Sequence, residues 1–314
     1  MYGEIMALLT NISFALSFVL ARKIEKEASP IFQNTVRSII GFLTFFMICL
    51  FFGIFLSVFF LPIFVIISLM MSILFTVILG DTIYLHSQKL LGPPKALAIT
   101  TTTPFFTILF ATIFLGQSIT IQMILSGIFI CIGVIIISRK ETGIDIKENP
   151  QNNYLEKKIS KTLIGTLWAL ITAISWAIGI ALTDFSISQV NQVLNLGILS
   201  TMIAMMVRFL FASFVLSVMG LIENKKSSIP KSKNTWYILV ISAVLSYSIG
   251  SIFFGEAVHT VGASFMSLIS TALPLFTIPF SYLINKETLS KRGFLGVGIT
   301  FMGVILILLQ YVYI

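Results

Sequence analysis

Charged residues are scarce in this chain. Asp, Glu, Lys and Arg make up 10% of its 314 residues, whereas a soluble globular domain carries about 25%. Apolar residues reach 57%, and the mean hydropathy is +1.03. Several apolar runs attain the roughly 20 residues that a helix needs to cross the hydrocarbon core of a bilayer. The composition argues against a soluble domain and predicts a polytopic, all-α protein embedded in a lipid bilayer.

Cysteine and histidine are also rare, with two of each. Cys49 and Cys131 fall within apolar runs, where packing explains them better than a disulfide or a metal pair. No spacing of His, Cys, Asp and Glu resembles a zinc site. No nucleophile–base pair and no phosphate-binding glycine loop is recognisable in the sequence. We therefore expect a protein that is not an enzyme and that binds neither a metal nor a cofactor.

The net charge of +8 is spread over short polar segments rather than gathered in one patch. This distribution argues against a nucleic-acid partner. The longest polar segment, residues 139–162, predicts a linker between a first unit, residues 1–138, and a second unit, residues 163–314. Ten transmembrane helices are predicted, five in each unit, near residues 3–21, 33–55, 63–88, 93–115, 119–138, 163–184, 197–220, 236–258, 261–284 and 292–312.

The basic residues predict an orientation for these ten helices. Eighteen of the 20 Lys and Arg residues fall in alternate loops, so that all of them lie on one side of the membrane. Because cytoplasmic loops are enriched in Lys and Arg, we expect the 139–162 linker to be cytoplasmic and both termini to lie outside the cell membrane. The two remaining basic residues are Arg37 and Arg208. Each lies inside a predicted helix, where burial costs about 2.5–3.5 kcal/mol unless the side chain faces protein or water.

The two halves of the sequence repeat each other. Gly80, Tyr84, Gly92, Thr101 and Pro104 correspond at one constant spacing to Gly250, Phe254, Gly262, Thr271 and Pro274. At slightly different spacings, Phe14 corresponds to Trp176 and Arg37 to Arg208. Five helices are an odd number, so the second copy is predicted to be inverted relative to the first. Inverted repeats in an apolar chain are typical of transporters, whose binding site lies near the midplane between the two halves.

Asp81 is the most informative acidic residue, because intramembrane carboxylates are costly and often mark ion or proton paths. It could equally form a structural ion pair with Arg37 or a hydrogen bond to a neighbouring helix. Its counterpart in the second half is the neutral Ser251. Pro104 and Pro274 lie within predicted helices and are expected to kink them. The predicted substrate-binding or coupling residues are Asn11, Phe14, Arg37, Asp81, Tyr84, Thr101, Trp176, Arg208, Ser246 and Tyr247.

In these repeated motifs the chain resembles the EamA family of the drug/metabolite transporter superfamily. Each half has an Arg in its second helix and a Pro in its fourth. Each half also has a Gly and an aromatic residue late in its third helix. The usual Leu-Gly-Glu ending of the fourth helix reads Leu115-Gly116-Gln117 in the first half and Asn285-Lys286-Glu287 in the second. Gln117 departs from the family pattern.

The resemblance implies an inverted-repeat bundle and secondary transport of small metabolites, often amino-acid export. It also implies cytoplasmic termini, and here we follow the charge distribution instead. A multidrug or other solute permease is the alternative function, and a membrane scaffold or lipid-handling protein is a third. We expect the protein to be a monomer or a homodimer.

Overall fold

The computed structural model describes residues 2–115, 121–138, 152–223, 229–286 and 290–312. These residues are almost entirely helical. The α-helices, in chain order, are α1 Tyr2–Lys23, α2 Pro30–Phe51, α3 Ile63–Ile73, α4 Thr82–Leu91, α5 Pro93–Thr100, α6 Thr103–Leu115, α7 Ile121–Ser138, α8 Asn152–Leu194, α9 Ile198–Glu223, α10 Lys233–Ala243, α11 Ser251–Ile269, α12 Leu273–Asn285 and α13 Lys291–Val312.

Each of the ten predicted ranges contains helical residues. Six segments in the described part of the chain are long and apolar enough to cross a membrane, so the count of ten spans stays a prediction. Those six are Tyr2–Lys23, Pro30–Phe51, Ile63–Leu91, Lys161–Leu194, Ile198–Ile222 and Lys233–Ser270. Part of the predicted linker, residues 152–162, forms the beginning of α8. Gln117, Glu287 and linker residues 139–151 lie outside the described residues.

Two π-helical segments occur at equivalent places in the two halves. The first, Leu74–Asp81, joins α3 to α4, and the second, Val244–Gly250, joins α10 to α11. A π segment contains one residue more per turn than an α-helix, and such segments are often found at functional sites. Here each π segment places one face of its helix against the other half of the molecule.

The backbone also breaks at two equivalent glycines. Gly92, between α4 and α5, has φ 79° and ψ 156°, and Gly262, within the range of α11, has φ 79° and ψ 166°. A side chain strongly disfavours this conformation, so glycine is required there. Pro104 and Pro274 are the second residues of α6 and α12, each directly after a short interruption of the helix. At that position a missing N–H costs no helical hydrogen bond.

The first helix of each half packs against the other half. Helix α1 contacts α11 and the second π segment, while α8 contacts α3, α4 and the first π segment. The remaining pairs follow the same symmetry, because α2 packs on α9 and α7 packs on α13.

Two glycines permit the close approach between halves. A Cβ atom on Gly80 would lie 2.5 Å from Trp176 of α8, and one on Gly250 would lie 2.8 Å from Phe14 of α1. Phe14 and Trp176 are equivalent in the repeat, as are Gly80 and Gly250. The same contact is therefore made twice, once by each half.

The outer surface is strongly apolar, as lipid contact requires. Exposed side chains include Phe51, Phe59, Leu221 and Ile222, each more than 70% accessible. In the interior, the buried small residues Ala169, Ala173 and Ala177 recur every four positions along α8. This spacing allows neighbouring helices to approach closely.

Candidate functional site

A cavity lies between the two halves of the protein and receives side chains from both. It contains about 810 Å³ of space that no atom occupies, open solvent included. Its lining residues are Asn11, Phe14, Phe18, Ile73, Thr76, Val77, Asp81, Thr100, Thr103, Pro104, Trp176, Ile180, Arg208, Phe209, Tyr247, Ser251, Phe254, Met266, Ser267, Ser270, Thr271 and Leu273.

Aromatic rings form much of the cavity wall. The ring centroids of Phe14 and Phe254 are 6.3 Å apart, and those of Phe18 and Trp176 are 6.1 Å apart. Phe209 and Tyr247 continue this wall, with centroids 5.2 Å apart. Such a surface suits an apolar or aromatic part of a ligand, because offset and edge contacts between rings are favourable at these distances.

Asp81 lines the cavity at the end of the first π segment. Both of its carboxylate oxygens accept a hydrogen bond from the second half of the protein. The Trp176 indole Nε1–H donates to Oδ1 at 2.9 Å, and the Tyr247 hydroxyl donates to Oδ2 at 2.6 Å. Asp81 thus connects the two halves across the cavity. A change in its protonation would alter two contacts between the halves at once.

Arg37 is fully buried behind the cavity wall and does not line the cavity. Its Nε and Nη2 atoms donate to Ser246 Oγ at 3.2 and 2.9 Å. Nη1 donates to Asn34 Oδ1 at 2.9 Å, and Nη2 donates to Ser17 Oγ at 3.2 Å. The guanidinium carbon also lies 4.3 Å from the centroid of the Tyr247 ring. Every nitrogen of this guanidinium therefore has an acceptor.

Arg37 and Asp81 are linked through Tyr247 rather than by direct contact. No nitrogen of Arg37 lies within 4.0 Å of an Asp81 oxygen. The Tyr247 ring faces the guanidinium, while its hydroxyl contacts the carboxylate and lies 3.4 Å from Asn34 Oδ1. The structural ion pair considered from the sequence is thus replaced by a bridged arrangement.

Arg208 lines the cavity and is 2% exposed, but it has fewer partners than Arg37. Nη2 donates to Thr76 Oγ1 at 3.1 Å, and Nη1 contacts the Met205 sulfur at 3.2 Å. Nε is buried and has no hydrogen-bond acceptor among the described residues. No Asp or Glu oxygen of the described residues lies within 4.0 Å of this guanidinium.

Six of the ten residues predicted from the sequence line the cavity, together with Pro104. They are Asn11, Phe14, Asp81, Trp176, Arg208 and Tyr247. Asn11 also donates from Nδ2 to the Ile269 carbonyl oxygen at 2.7 Å, close to the interruption before α12. That contact fixes its amide at the cavity surface.

The other four predicted residues do not line the cavity. Arg37 and Ser246 lie behind it, bonded to each other. Tyr84 is buried against Phe18, with ring centroids 4.5 Å apart. The Thr101 hydroxyl donates to the Ala98 carbonyl oxygen within its own turn, and its neighbours Thr100 and Thr103 line the cavity instead.

Sequence reasoning missed several contributors, of which Asn34 and Thr76 are the most important. Asn34 lies one helical turn before Arg37, so its position on the same helix face could have identified it. Thr76 corresponds to Ser246 in the repeat, and each hydroxyl accepts from the arginine of the other half. In the described part of the chain no group of three His, Cys, Asp or Glu side chains could hold a metal ion.

The helical fold and the cavity between two similar halves define a multi-pass membrane protein with the organisation of a solute carrier. The model of the EamA-like transporter family matches residues 1–139 and again residues 163–309. The chain therefore belongs to the EamA-like transporter family, whose members are membrane transporters of the drug/metabolite superfamily rather than enzymes.

A solved crystal structure has a similar fold, with a TM-score of 0.65. It is 17% identical in sequence, and the alignment covers 97% of this chain and 98% of that one. At this identity the similarity concerns the fold alone. No curated protein matches the chain significantly in sequence.

Proposed function

We propose that the protein is a secondary transporter that moves a small metabolite, such as an amino acid or a related compound, across the cytoplasmic membrane. The observation that carries this proposal is the cavity itself. It is built by both repeats, and it combines an aromatic wall with one carboxylate and one guanidinium. A transporter needs such a site between two bodies that can move relative to each other.

In this proposal ten helices, arranged as two inverted sets of five, alternate between two conformations around the cavity. The contacts of Asp81 with Trp176 and Tyr247 cross the boundary between the halves. These two hydrogen bonds must therefore break, and others must replace them, when the halves move. The transport direction that we propose is export.

The first prediction concerns Asp81 as the coupling residue. Replacement by Asn keeps the size of the side chain but removes its charge, so proton-driven movement should be lost. We expect Asp81→Asn to abolish gradient-driven amino-acid uptake into proteoliposomes, while substrate exchange without a gradient continues. Undiminished pH-dependent uptake by this variant would contradict the coupling role.

The substrate screen separates the candidate functions. Cells with and without the protein should be challenged with amino acids, dipeptides, nucleosides and cationic drugs. Resistance to amino acids or dipeptides supports metabolite export, and resistance to structurally unrelated cationic drugs supports a multidrug permease. A purified protein that binds and moves none of these solutes would contradict the transporter proposal and favour a scaffold.

A further inference from the structure

The two intramembrane arginines occupy equivalent positions in the repeat, so the surroundings of one serve as a reference for the other. Arg37 is held by Asn34, Ser17 and Ser246 and by the face of the Tyr247 ring. Around Arg208 the equivalent positions are occupied by other residues. Met205 corresponds to Asn34, Gly179 to Ser17, Thr76 to Ser246 and Val77 to Tyr247. The hydroxyl partner is retained, while the amide and the second hydroxyl are lost. The close Tyr247 ring also has no equivalent, and the Phe254 ring lies farther away, 5.9 Å from the guanidinium carbon of Arg208.

Each of these differences weakens the binding of a guanidinium group. A thioether sulfur is a weak acceptor, so the contact of Met205 with Nη1 replaces the strong Asn34 bond poorly. Gly179 has no side chain, and Val77 has no π face. Within the described part of the chain the Arg208 Nε–H consequently has no acceptor, although the side chain is almost completely buried.

The charges around the cavity also differ between the halves. Asp81 lies on the side of Arg37, to which Tyr247 connects it. Arg208 has no such counterpart, since the nearest equivalent of Asp81 is the neutral Ser251. Glu256, another buried acid of α11, does not line the cavity and forms no ion pair with Arg208. Counting Arg37 behind the wall, two guanidinium groups lie around the cavity with one described carboxylate, Asp81, and no described carboxylate lies within 4.0 Å of Arg208. One positive charge therefore remains in excess.

An uncompensated buried charge is costly, and a bound anion would remove that cost. We propose that Arg208 binds a carboxylate group of the transported solute and thereby makes the transporter selective for amphipathic organic carboxylates. This inference rests on the proposed transport function and adds the substrate class. A carboxylate, with a single negative charge, balances the one excess positive charge, whereas a phosphate dianion would leave a buried negative charge.

The local structure allows the guanidinium to meet such a ligand. Nε is shielded from solvent in this conformation, so the side chain must turn towards the cavity. Its two partners permit this turn, because Met205 is flexible and weakly bound and Thr76 contributes one hydroxyl. The aromatic residues Phe14, Trp176 and Phe254 would then surround the apolar part of the solute.

Trp176 supplies a direct readout of binding. It lines the cavity, whereas Trp168 and Trp236, the other two tryptophans, are 38% exposed on the outer surface. Replacing these two by Phe leaves Trp176 as the single tryptophan, whose fluorescence can be excited selectively over that of the tyrosines. Quenching can then be titrated with 3-phenylpropionate, with its uncharged amide, with 3-phenylpropylamine and with phenyl phosphate, together with aliphatic carboxylate and amide pairs.

We expect the carboxylates to bind at least tenfold more tightly than their amides, and Arg208→Gln to remove this preference without weakening amide binding. Met205→Asn gives Nη1 the amide acceptor that Arg37 already has. It should weaken carboxylate binding about three- to tenfold although the charge of Arg208 remains. Met205→Leu offers no acceptor and is the matched control, in which carboxylate binding should be retained. These two variants keep the test valid if Arg208→Gln does not fold.

The inference is overturned if the amides or the amine bind as tightly as the carboxylates, if phenyl phosphate binds more tightly, or if Met205→Asn and Met205→Leu behave alike. Transport of a neutral or cationic solute, undiminished in Arg208→Gln, would contradict this inference alone and leave the transporter proposal intact. Absence of binding and transport for every solute would contradict both.

Discussion

At the scale of single residues, Tyr247 of the second half contacts both Asp81 and Arg37 of the first half. Its hydroxyl donates to Asp81 at 2.6 Å, and its ring faces Arg37 at 4.3 Å. The side chain is 2% exposed, so water cannot replace a lost contact readily. A hydrogen bond to a charged group in such surroundings contributes about 1.5–3 kcal/mol.

Tyr247→Phe should therefore destabilise the protein. The ring contact with Arg37 is kept, but one Asp81 oxygen loses its donor. We expect the apparent Tm in detergent to fall by a few degrees, because a loss of 1 kcal/mol lowers the Tm by about 2–4 °C in chains of roughly 150–250 residues and by somewhat less in a longer chain. The control is Tyr237→Phe, because the Tyr237 side chain is 69% exposed and its removal should leave the Tm unchanged. Equal Tm values for the two variants would show that the Tyr247 hydroxyl is dispensable.

The two arginines illustrate which residue-scale properties could be predicted from the sequence. Both were predicted as binding or coupling candidates from their position inside apolar helices. Their different partners could not be read in the same way, because Ser246 and Thr76 are distant in sequence and meet the arginines only after the halves pack. The repeat alignment would have paired Asn34 with Met205, but it does not say that either contacts a guanidinium.

At the scale of helices, the π segments position the functional side chains. In the first π segment the carbonyl oxygens of Phe75 and Thr76 accept hydrogen bonds from Ser175 and Trp176 of α8, at 2.7 and 3.1 Å. Carbonyl groups displaced from α-helical geometry are thereby satisfied by the other half. The apolar runs of the sequence predicted continuous helices here, because the extra residue that a π segment adds to a helix hardly changes an apolar run.

The glycines of the π segments should tolerate substitution poorly. A Cβ on Gly80 would lie 2.6 Å from the Phe75 oxygen as well as against Trp176, and one on Gly250 would lie 2.7 Å from the Leu245 oxygen as well as against Phe14. Because backbone atoms cannot yield as a flexible side chain can, we expect Gly80→Ala and Gly250→Ala each to cost about 1–3 kcal/mol.

The matched control for these two variants is Gly298→Ala in α13. A Cβ at Gly298 meets no atom of the described residues within 4 Å, and alanine favours a helix by up to about 1 kcal/mol. Thermal unfolding of the three variants in the same detergent measures the difference. Equal Tm values for Gly80→Ala and Gly298→Ala would refute the close approach of α8 to the first π segment.

At the scale of the whole molecule, the orientation in the membrane is open to a direct test. The charge distribution predicts that the loop after α1 is cytoplasmic and that the connection between α8 and α9 faces outward. Lys26 and Gln192 are exposed residues in these two regions. Single cysteines there, in a variant with Cys49 and Cys131 replaced by Ala, report their side of the membrane.

We expect a membrane-impermeant maleimide to label Gln192→Cys in intact cells and to label Lys26→Cys only after lysis. Each variant is the control for the other, because the two positions lie on opposite sides in either topology. The reverse pattern would place the termini in the cytoplasm, as the resemblance to the family implies, and would contradict the prediction from loop charge.

Composition and repetition by themselves determined the class of this protein. Scarce charge and long apolar runs require helices in a bilayer, since every backbone polar group must be satisfied within lipid. The repeated Gly, Pro and Arg positions indicated two equivalent halves, and hence a site between them. Composition and apolar runs are local properties, and the repeated positions recur at regular spacings. The order of residues alone therefore reveals them.

Only the tertiary structure decided which arginine has acceptors for all its nitrogens and which lines the cavity with an incomplete set. That distinction depends on contacts between residues more than 130 positions apart, such as Arg208 with Thr76 and Arg37 with Ser246. It also depends on the insertion of π segments, which turn Asp81 and Tyr247 towards each other. The energetic cost of a buried charge follows from its neighbours in space, and those neighbours are set by packing rather than by the order of residues.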